Sequence, residues 1–593
     1  MICLISRLVR NGPFKSSLVV HDPLSSLAAL RTFLKEYKLG GFFLPRENRF
    51  QSSHLPPGEE RLAWLTGFSG SAGSAVVLPH RAALCVDSRY ILAASRQVPP
   101  CFDVTEEAPE TWLRKAQPEG ENLIGFDPWQ VTLMRLRRLQ KALPNDIFHP
   151  VQKNPVDLLW LNRPSCALPS IFSLEEKFSG VSSEGKVKQV LQQTKNTGAS
   201  AVLITDSASI AWLLNVRADI PFLPAPPAYA LVQEGAPILL FSAISTWPES
   251  TVYRVFSLEE MPKILRKASI SVLQGDPQEM PCAIETLLVE AGKELREAPN
   301  PCQVLKAIKN PVERQGFRDC HERDGLALIE FFSWLERATA ETPVDERMAA
   351  EKLYHFRARS PLFRGPSFET ISAAGAQAAF IHYQTPHEGG VFLRSSALYL
   401  CDSGAQYQDG TTDCTRTVAI ASGQDSYAKR VYTAVLQGLI AATTTIFPVG
   451  TPGTAIDAIA RRPLWIMGLT YAHSTGHGVG HFLDVHENPP LLSKISQTPL
   501  SEGMVLSIEP GFYQADAFGV RLENLVEVVP APDHPGFLTF STLTLVPFES
   551  SFLEVPLLKE EELSWLKAYH TRIWKTLHSR LSPEAQGWLK TRL

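Results

Sequence analysis

LCDSGAQYQDGTTDCTRT, residues 400–417, sets two carboxylates, Asp402 and Asp413, on either side of a stretch rich in glycine and threonine. Gly404, Gly410 and the threonines suit two adjacent strands joined by a hairpin, which would bring both carboxylates to one face. Around this stretch run short β-forming segments separated by glycine: Ile371 to Ala374, Ala397 to Asp402, Thr415 to Ile420, Val505 to Ile508, Val520 to Val529 and Leu543 to Val546. Helical patterns span Glu313 to Thr339, Asp345 to Ala358 and Ala455 to Gly468. The uncharged run Val431 to Ile456 repeats its apolar residues at helical spacing and predicts a half-buried helix ending before Pro448, not a membrane span. Helices on one side of a mostly antiparallel sheet make an α+β domain. The tail from Lys559 to Leu593 reads as helices that pack back on it.

Further along, Ala472 to Gly480 reads AHSTGHGVG, with His477 between two glycines that disfavour helix and permit close backbone approach. Glu509 stands before Pro510, and Glu523 lies in a β-forming stretch beside Leu522, Leu525 and Val526. A carboxylate buried in such a strand is costly unless it is paired or bound to a metal. A lone Asp in a hairpin is usually a turn residue and a lone Glu is usually solvated; the conjunction of Asp402, Asp413, His477, Glu509 and Glu523 is the signal. Four carboxylates and one imidazole suit Mn²⁺, Co²⁺ or Zn²⁺ better than calcium, and four negative charges balance two divalent ions. Arg521, two residues before Glu523, would share its sheet face and lie near the carboxylates. Cys401 and Cys414 alternate to the opposite face and read as core. The chain has no GxxxxGK[ST] loop, no GxSxG elbow and no HExxH helix.

The first half alternates helix-like and strand-like stretches twice. Leu24 to Tyr37 precedes Gly41 to Leu44 and the pair Ala72 to Leu78 with Ala82 to Val86; Gly185 to Thr197 precedes Ala201 to Thr205, Ala228 to Val232 and Ile238 to Ser242. Two α/β domains of similar plan are expected, and 593 residues exceed what one core supports. A net charge of −4 gives no reason to expect nucleic acid, and nine cysteines without a CxxC pair read as reduced thiols in a cytoplasmic protein. Met1 to Val20 carries Arg7, Arg10 and Lys15 without an acid, and reads as an N-terminal extension rather than a targeting segment.

The order Asp, Asp, His, Glu, Glu resembles that of the pita-bread metallopeptidases. Nearly the whole chain resembles the long, three-domain form of aminopeptidase P, through RLAWLTGFSGSAGSAVV, VDSRY, IAWLLNVR, SFETIS, FIHY, STGHGVGHFLDVHENPP, EPGFY, FGVRLEN and LTLVPF. The resemblance implies two creatinase-like α/β domains, 14–165 and 166–322, followed by a pita-bread catalytic domain, 323–593. It implies hydrolysis of the Xaa-Pro bond at the N-terminus of peptides, with two divalent ions, Mn²⁺ first and Zn²⁺ or Co²⁺ as alternatives. Asp402 would bind one ion, Asp413 and Glu523 both, His477 and Glu509 the other. His382, His473 and His486 would contact substrate and move protons, with Glu509 as general base; Arg521 joins the catalytic set, and Arg89 would reach the substrate from the first domain. A homodimer without nucleic-acid or membrane partners is implied, while a prolidase and a metal-free peptide-binding module are the competing readings. The chain departs from the family at Ser474, His481, Asn488 and Ile508. None of these is a ligand, and His481 is expected to face solvent.

Overall fold

The computed structural model describes residues 22–116, 123–143, 147–395, 398–420 and 425–593; Met1 to Val20 and Ala397 lie outside the described residues. Two compact units emerge. The first comprises Met1–Ser173, Ser182–Ile220 and Ala225–Cys302, and the second Leu174–Val181, Pro221–Pro224 and Gln303–Leu593.

The first unit contains two six-stranded sheets of the same plan. One runs Asp103–Thr105, Ala82–Cys85, Ser74–Val77, Gly41–Pro45, Ile124–Phe126, Phe148–Pro150. The other runs Tyr253–Phe256, Ile238–Ser242, Ala228–Gln233, Ala201–Ile204, Val272–Gly275, Glu294–Glu297. In each, the first strand in sequence pairs antiparallel on one side and parallel on the other. A capped helix leads into each: Asp22 caps Pro23–Glu36 and Ser182 caps Ser183–Asn196. The repeat is plain in topology although faint in sequence, because strand order depends on which short apolar runs pair, not on their identities. One core joins the two sheets, with Phe43, Val76 and Ile124 from the first and Leu203, Leu231 and Phe241 from the second.

The second unit is built on a six-stranded antiparallel sheet, ordered Phe447–Pro448, Phe537–Thr542, Asn524–Pro530, Val505–Ile508, Gly476–Gly478, Glu487–Leu492. A three-stranded antiparallel sheet, Ile371–Ala374, Leu398–Ser403, Cys414–Ala419, accompanies it. Helices Ser426–Thr443 and Gly453–Ile466 bury Val431, Val435, Leu439, Ile456 and Leu464 in one cluster with Leu506, Val526 and Val528 of the large sheet. Each of these apolar side chains contributes roughly 1.5–3 kcal/mol when buried. Pita-bread α+β architecture thus follows the two α/β halves, as expected. Among the described residues no helix is long and apolar enough to cross a membrane.

Two strand expectations need correction. Val520 to Val529 is not one strand. The chain leaves one sheet after Arg521 and enters another at Asn524, so Phe518–Arg521 pairs with Gly511–Gln514 while Asn524–Pro530 pairs with Val505–Ile508. At the crossing the amides of Leu522 and Glu523 donate to the carbonyls of Pro510 and Thr415. A uniform run of β-formers carries no mark of where it changes partners. Leu543 to Val546 is not a strand either; the last strand is Phe537–Thr542. Side chains take the carbonyls of the segment that follows: the single Tyr569 hydroxyl hydrogen is shared between Thr544 O and Val546 O, each 3.0 Å away, and Arg416 donates to Val546 O and Pro547 O.

The strand bearing Asp402 is held from behind by Arg357, only 2% exposed. Its guanidinium makes two bonds to Asp324, at 2.7 and 3.0 Å, and others to Ser403 O, Ser403 Oγ and Gly404 O. Arg357→Ala would leave the Asp324 carboxylate buried without its cation. A loss of about 3–5 kcal/mol is expected, read as a fall in the denaturant midpoint at unchanged slope.

Candidate metal centre

Asp402 sits one residue from the end of Leu398–Ser403 and Asp413 immediately before Cys414–Ala419; in the register Ser403 faces Cys414. The expected single hairpin is two nested ones. Between the carboxylates, Ala405–Tyr407 and Gly410–Thr411 pair in a separate three-stranded sheet. At Gly404 any Cβ would stand 2.0 Å from Thr412 O, so only glycine lets the loop close.

His477 lies in the short strand Gly476–Gly478, pressed against Val505–Ile508 so closely that a Cβ at Gly476 would meet Ser507 O at 1.9 Å. Its amide donates to Ser507 Oγ at 3.0 Å, and Nδ1 donates to Gly478 O at 3.0 Å. A carbonyl only accepts, so Nδ1 carries a hydrogen and Nε2 is the nitrogen turned toward the carboxylates. That nitrogen lies 3.3 Å from Glu509 Oε1 and 3.6 Å from Asp413 Oδ2. Asp413, His477 and Glu523 each offer a ligand atom, all within 4.8 Å of one another. Asp402 joins them through Arg521, which donates to its Oδ2 at 2.5 Å and to Thr415 Oγ1 at 3.3 Å; Thr415 Oγ1 in turn donates to Glu523 Oε2 at 2.8 Å. Arg521 reaches Asp402 from the strand before the sheet change, not by sharing a strand face with Glu523 as expected.

Electrostatics decide what this cluster can hold. Asp402 Oδ1, Asp413 Oδ1 and Glu523 Oε1 are buried, and no hydrogen-bond donor reaches them. Burial, then the charges of Glu523, Asp402 and Glu509, drive the Asp413 carboxyl well above its usual range, with Arg521 opposing. Burial, then Glu509 and Asp402, push Glu523 to about 8, against the pull of His477 and Thr415. Acceptor-only carboxylate oxygens buried beside an imidazole, and repelling one another, fit cations, the donor set for one or more divalent ions.

The outer histidines are placed differently. His486 is exposed, its ring centroid 4.3 Å from that of His477. His473 donates from Nδ1 to Ser474 O at 2.7 Å, leaving Nε2 to accept from Tyr513 Oη at 2.8 Å; Arg521 donates to the same hydroxyl at 2.8 Å. His382 is half-buried in the turn after Gly375–Ala379, a segment packed on the Arg521 strand through Ala378 O and Gly519. Arg89, in the first unit, binds its own neighbour Asp87 through Nε at 2.8 Å and Nη2 at 2.7 Å. Cys401 and Cys414 are free and buried in an apolar cluster, as expected. His481 is not solvent-facing: it is 3% exposed and its ring stands edge-on to Phe317 at 5.7 Å. The tight approach of Gly316 on the same helix as Phe317 covers it.

Thr415 and Tyr513 went unread as site residues, although Thr415 follows Asp413 by two and so shares its face, and Tyr513 closes the EPGFY stretch. Thr415 is fully buried, and Thr415→Val removes only the hydroxyl that orients Glu523 and accepts from Arg521. Metal affinity should fall about 10- to 100-fold, measured by competition with a chromogenic chelator.

Comparison with known proteins agrees along the chain. Residues 315–530 match the model of metallopeptidase family M24 and 536–592 that of its C-terminal region; 27–158 and 162–313 match models of the creatinase/prolidase N-terminal domain. A probable Xaa-Pro aminopeptidase P of Laccaria bicolor is 36% identical over 95% of this chain and 92% of its own. One from Aspergillus niger is 35% identical over 96% and 98%. The crystal structure of X-prolyl aminopeptidase from Caenorhabditis elegans, described as a cytosolic enzyme with a di-nuclear active site, superposes with a TM-score of 0.89 at 32% identity. The match covers 96% of this chain and 99% of that one.

Proposed function

The chain belongs to the Xaa-Pro aminopeptidase P family of M24 metallopeptidases, and from that premise we propose that its carboxylate–histidine cluster releases the first residue of peptides whose second residue is proline. The observation that carries this reading is three buried carboxylate oxygens that no donor reaches, on Asp402, Asp413 and Glu523, with Asp413 and Glu523 clustered beside His477. Asp402, Asp413, His477, Glu509 and Glu523 would hold two divalent ions, Mn²⁺ by the family resemblance. When bound, such ions supply Lewis acidity to the scissile carbonyl and lower the pKa of water.

The chain's own residues do the rest. Glu509 has the most solvent-accessible side chain of the carboxylates in the ion pairs of the site, 16% exposed against 11% for Asp402 and 5% for Asp413. Held by Ser507 Oγ at 3.1 Å, it takes the proton of the attacking water. His486, exposed beside His477, donates to the developing oxyanion or to the leaving nitrogen. That nitrogen belongs to a proline ring and carries no N–H before cleavage, so recognition rests on the fit of the ring. Arg521 and Tyr513 fix Asp402 and the His473 tautomer. His382 contacts substrate, and Arg89 does so from the first domain, both by resemblance. The same resemblance supports a homodimer, and the eight described free cysteines agree with the cytosolic setting described for the nematode enzyme.

The test is hydrolysis of Xaa-Pro tripeptides and Xaa-Pro dipeptides before chelation, after it, and with Mn²⁺ restored. Tripeptide cleavage that disappears and returns is the expected result. Cleavage confined to dipeptides would reassign the chain as a prolidase, and metal-independent peptide binding without hydrolysis would make it a binding module.

A further inference from the structure

Glu487 follows His486 directly, and its carboxylate is buried against two lysines: Lys309 Nζ stands 2.5 Å from Oε1 and Lys306 Nζ 3.1 Å from Oε2. The side chains are 2%, 0% and 6% exposed for Glu487, Lys309 and Lys306, so the ion triad is sealed away from water. Burial pushes the Glu487 carboxyl up, but the two ammonium groups outweigh it and hold the group below its ordinary range. Buried ion groups of this kind are often no more stable than apolar side chains of the same volume, so stability alone does not explain the triad.

Its placement does. Glu487 opens the strand Glu487–Leu492, which pairs with the His477 strand at Gly478; a Cβ at Gly478 would meet Glu487 O at 2.5 Å. One residue back, the amide of His486 donates to Asp484 Oδ1 at 3.1 Å, and Asp484 O accepts from the amide of Gly480 at 2.9 Å. The lysines are themselves fixed. Lys306 lies in the last turn of the helix Pro301–Ala307, and the amide of Lys309 donates to Gly503 O at 2.9 Å, beside the Ile308–Met504 bridge. Both lie upstream of the stretch that matches family M24, within the match to the creatinase/prolidase N-terminal domain.

We propose that Lys306, Glu487 and Lys309 form a buried ionic clamp that positions the exposed imidazole of His486 against the metal centre. The clamp grips both oxygens of Glu487 and so fixes the main chain on the C-terminal side of the histidine, while Asp484 fixes it on the other. A neutral or loosely held residue 487 would let the His486 ring leave the face of His477. The proposal rests on the aminopeptidase reading above for the reaction it assists.

The full-length chain carrying Lys306→Met, Glu487→Met and Lys309→Met together tests it, in a double-mutant cycle with His486→Ala. The triple variant should fold, keep two ions per chain and lose on the order of tenfold or more in kcat, with KM little changed. In the His486→Ala background the same three substitutions should cost nothing further. Hydrogen exchange of residues 484–492 in the metal-free chain should rise. Full kcat in a folded triple variant, or an equal loss with and without His486, would overturn the clamp. If the triple variant does not fold, Lys309→Arg and Glu487→Asp, which keep the charges and shift the geometry, enter the same cycle. A loss of kcat that vanishes without His486 then supports the clamp, and full kcat or a loss independent of His486 overturns it. A parent chain that cleaves no Xaa-Pro peptide would fail the aminopeptidase reading instead, and the exchange measurement would still test the clamp.

Discussion

Asp413→Ala and Glu523→Ala should each lose both metal ions and at least about a thousandfold in kcat/KM, the worth of several kcal/mol of transition-state stabilisation. Both carboxylates keep one oxygen that no donor reaches, and both are driven up first by burial and then by their neighbours' charges. The family resemblance implies that each would bridge the two ions, so that neither ion would keep its ligand set when either side chain goes. Removing one carboxylate also relieves the repulsion that makes the cluster demand cations. Metal content by mass spectrometry and hydrolysis of an Xaa-Pro tripeptide give the two readouts. Asp409→Asn is the control: it lies in the same loop, pairs with Arg323, and should keep both ions. Two ions and full activity in either alanine variant would exclude bridging.

His486→Ala should keep both ions yet lose at least about a hundredfold in kcat, the usual worth of a positioned proton donor or oxyanion partner. The ring is exposed and no ligand distance depends on it, but it stands 4.3 Å from the His477 ring. Metal content separates this outcome from the first, since a residue that moves protons leaves the ions in place. An unchanged kcat would make His486 a structural residue and remove the purpose of the lysine clamp with it.

How far the sequence reached depends on the kind of signal. Ile371–Ala374 and Val505–Ile508 appear as read, because a short apolar run bounded by glycine or proline has one comfortable conformation. The helix Ser426–Thr443 likewise stops short of Pro448, as its spacing implied. Val520 to Val529 misled, since β-propensity describes a pleated, half-buried surface and is silent about which sheet provides it. His481 misled for a related reason. A polar residue beside a ligand loop suggests solvent, and only the helix bearing Gly316 and Phe317, more than 160 residues earlier, covers it.

By itself the sequence singled out five candidate ligands and their order, because carboxylates set among glycines and apolar strands are costly to bury for any purpose but pairing or metal binding. It also determined the two-part plan, through apolar periodicity that local chemistry enforces. Only the tertiary structure decided which oxygens lack a donor, that Arg521 serves Asp402 from a different strand, that Thr415 bonds Glu523 and Tyr513 bonds His473, and that Lys306 and Lys309 pair with Glu487. Hydrogen bonds and ion pairs act over a few ångströms of space regardless of distance along the chain. Residues 306 and 487 therefore become neighbours only after the folded sheet brings them together.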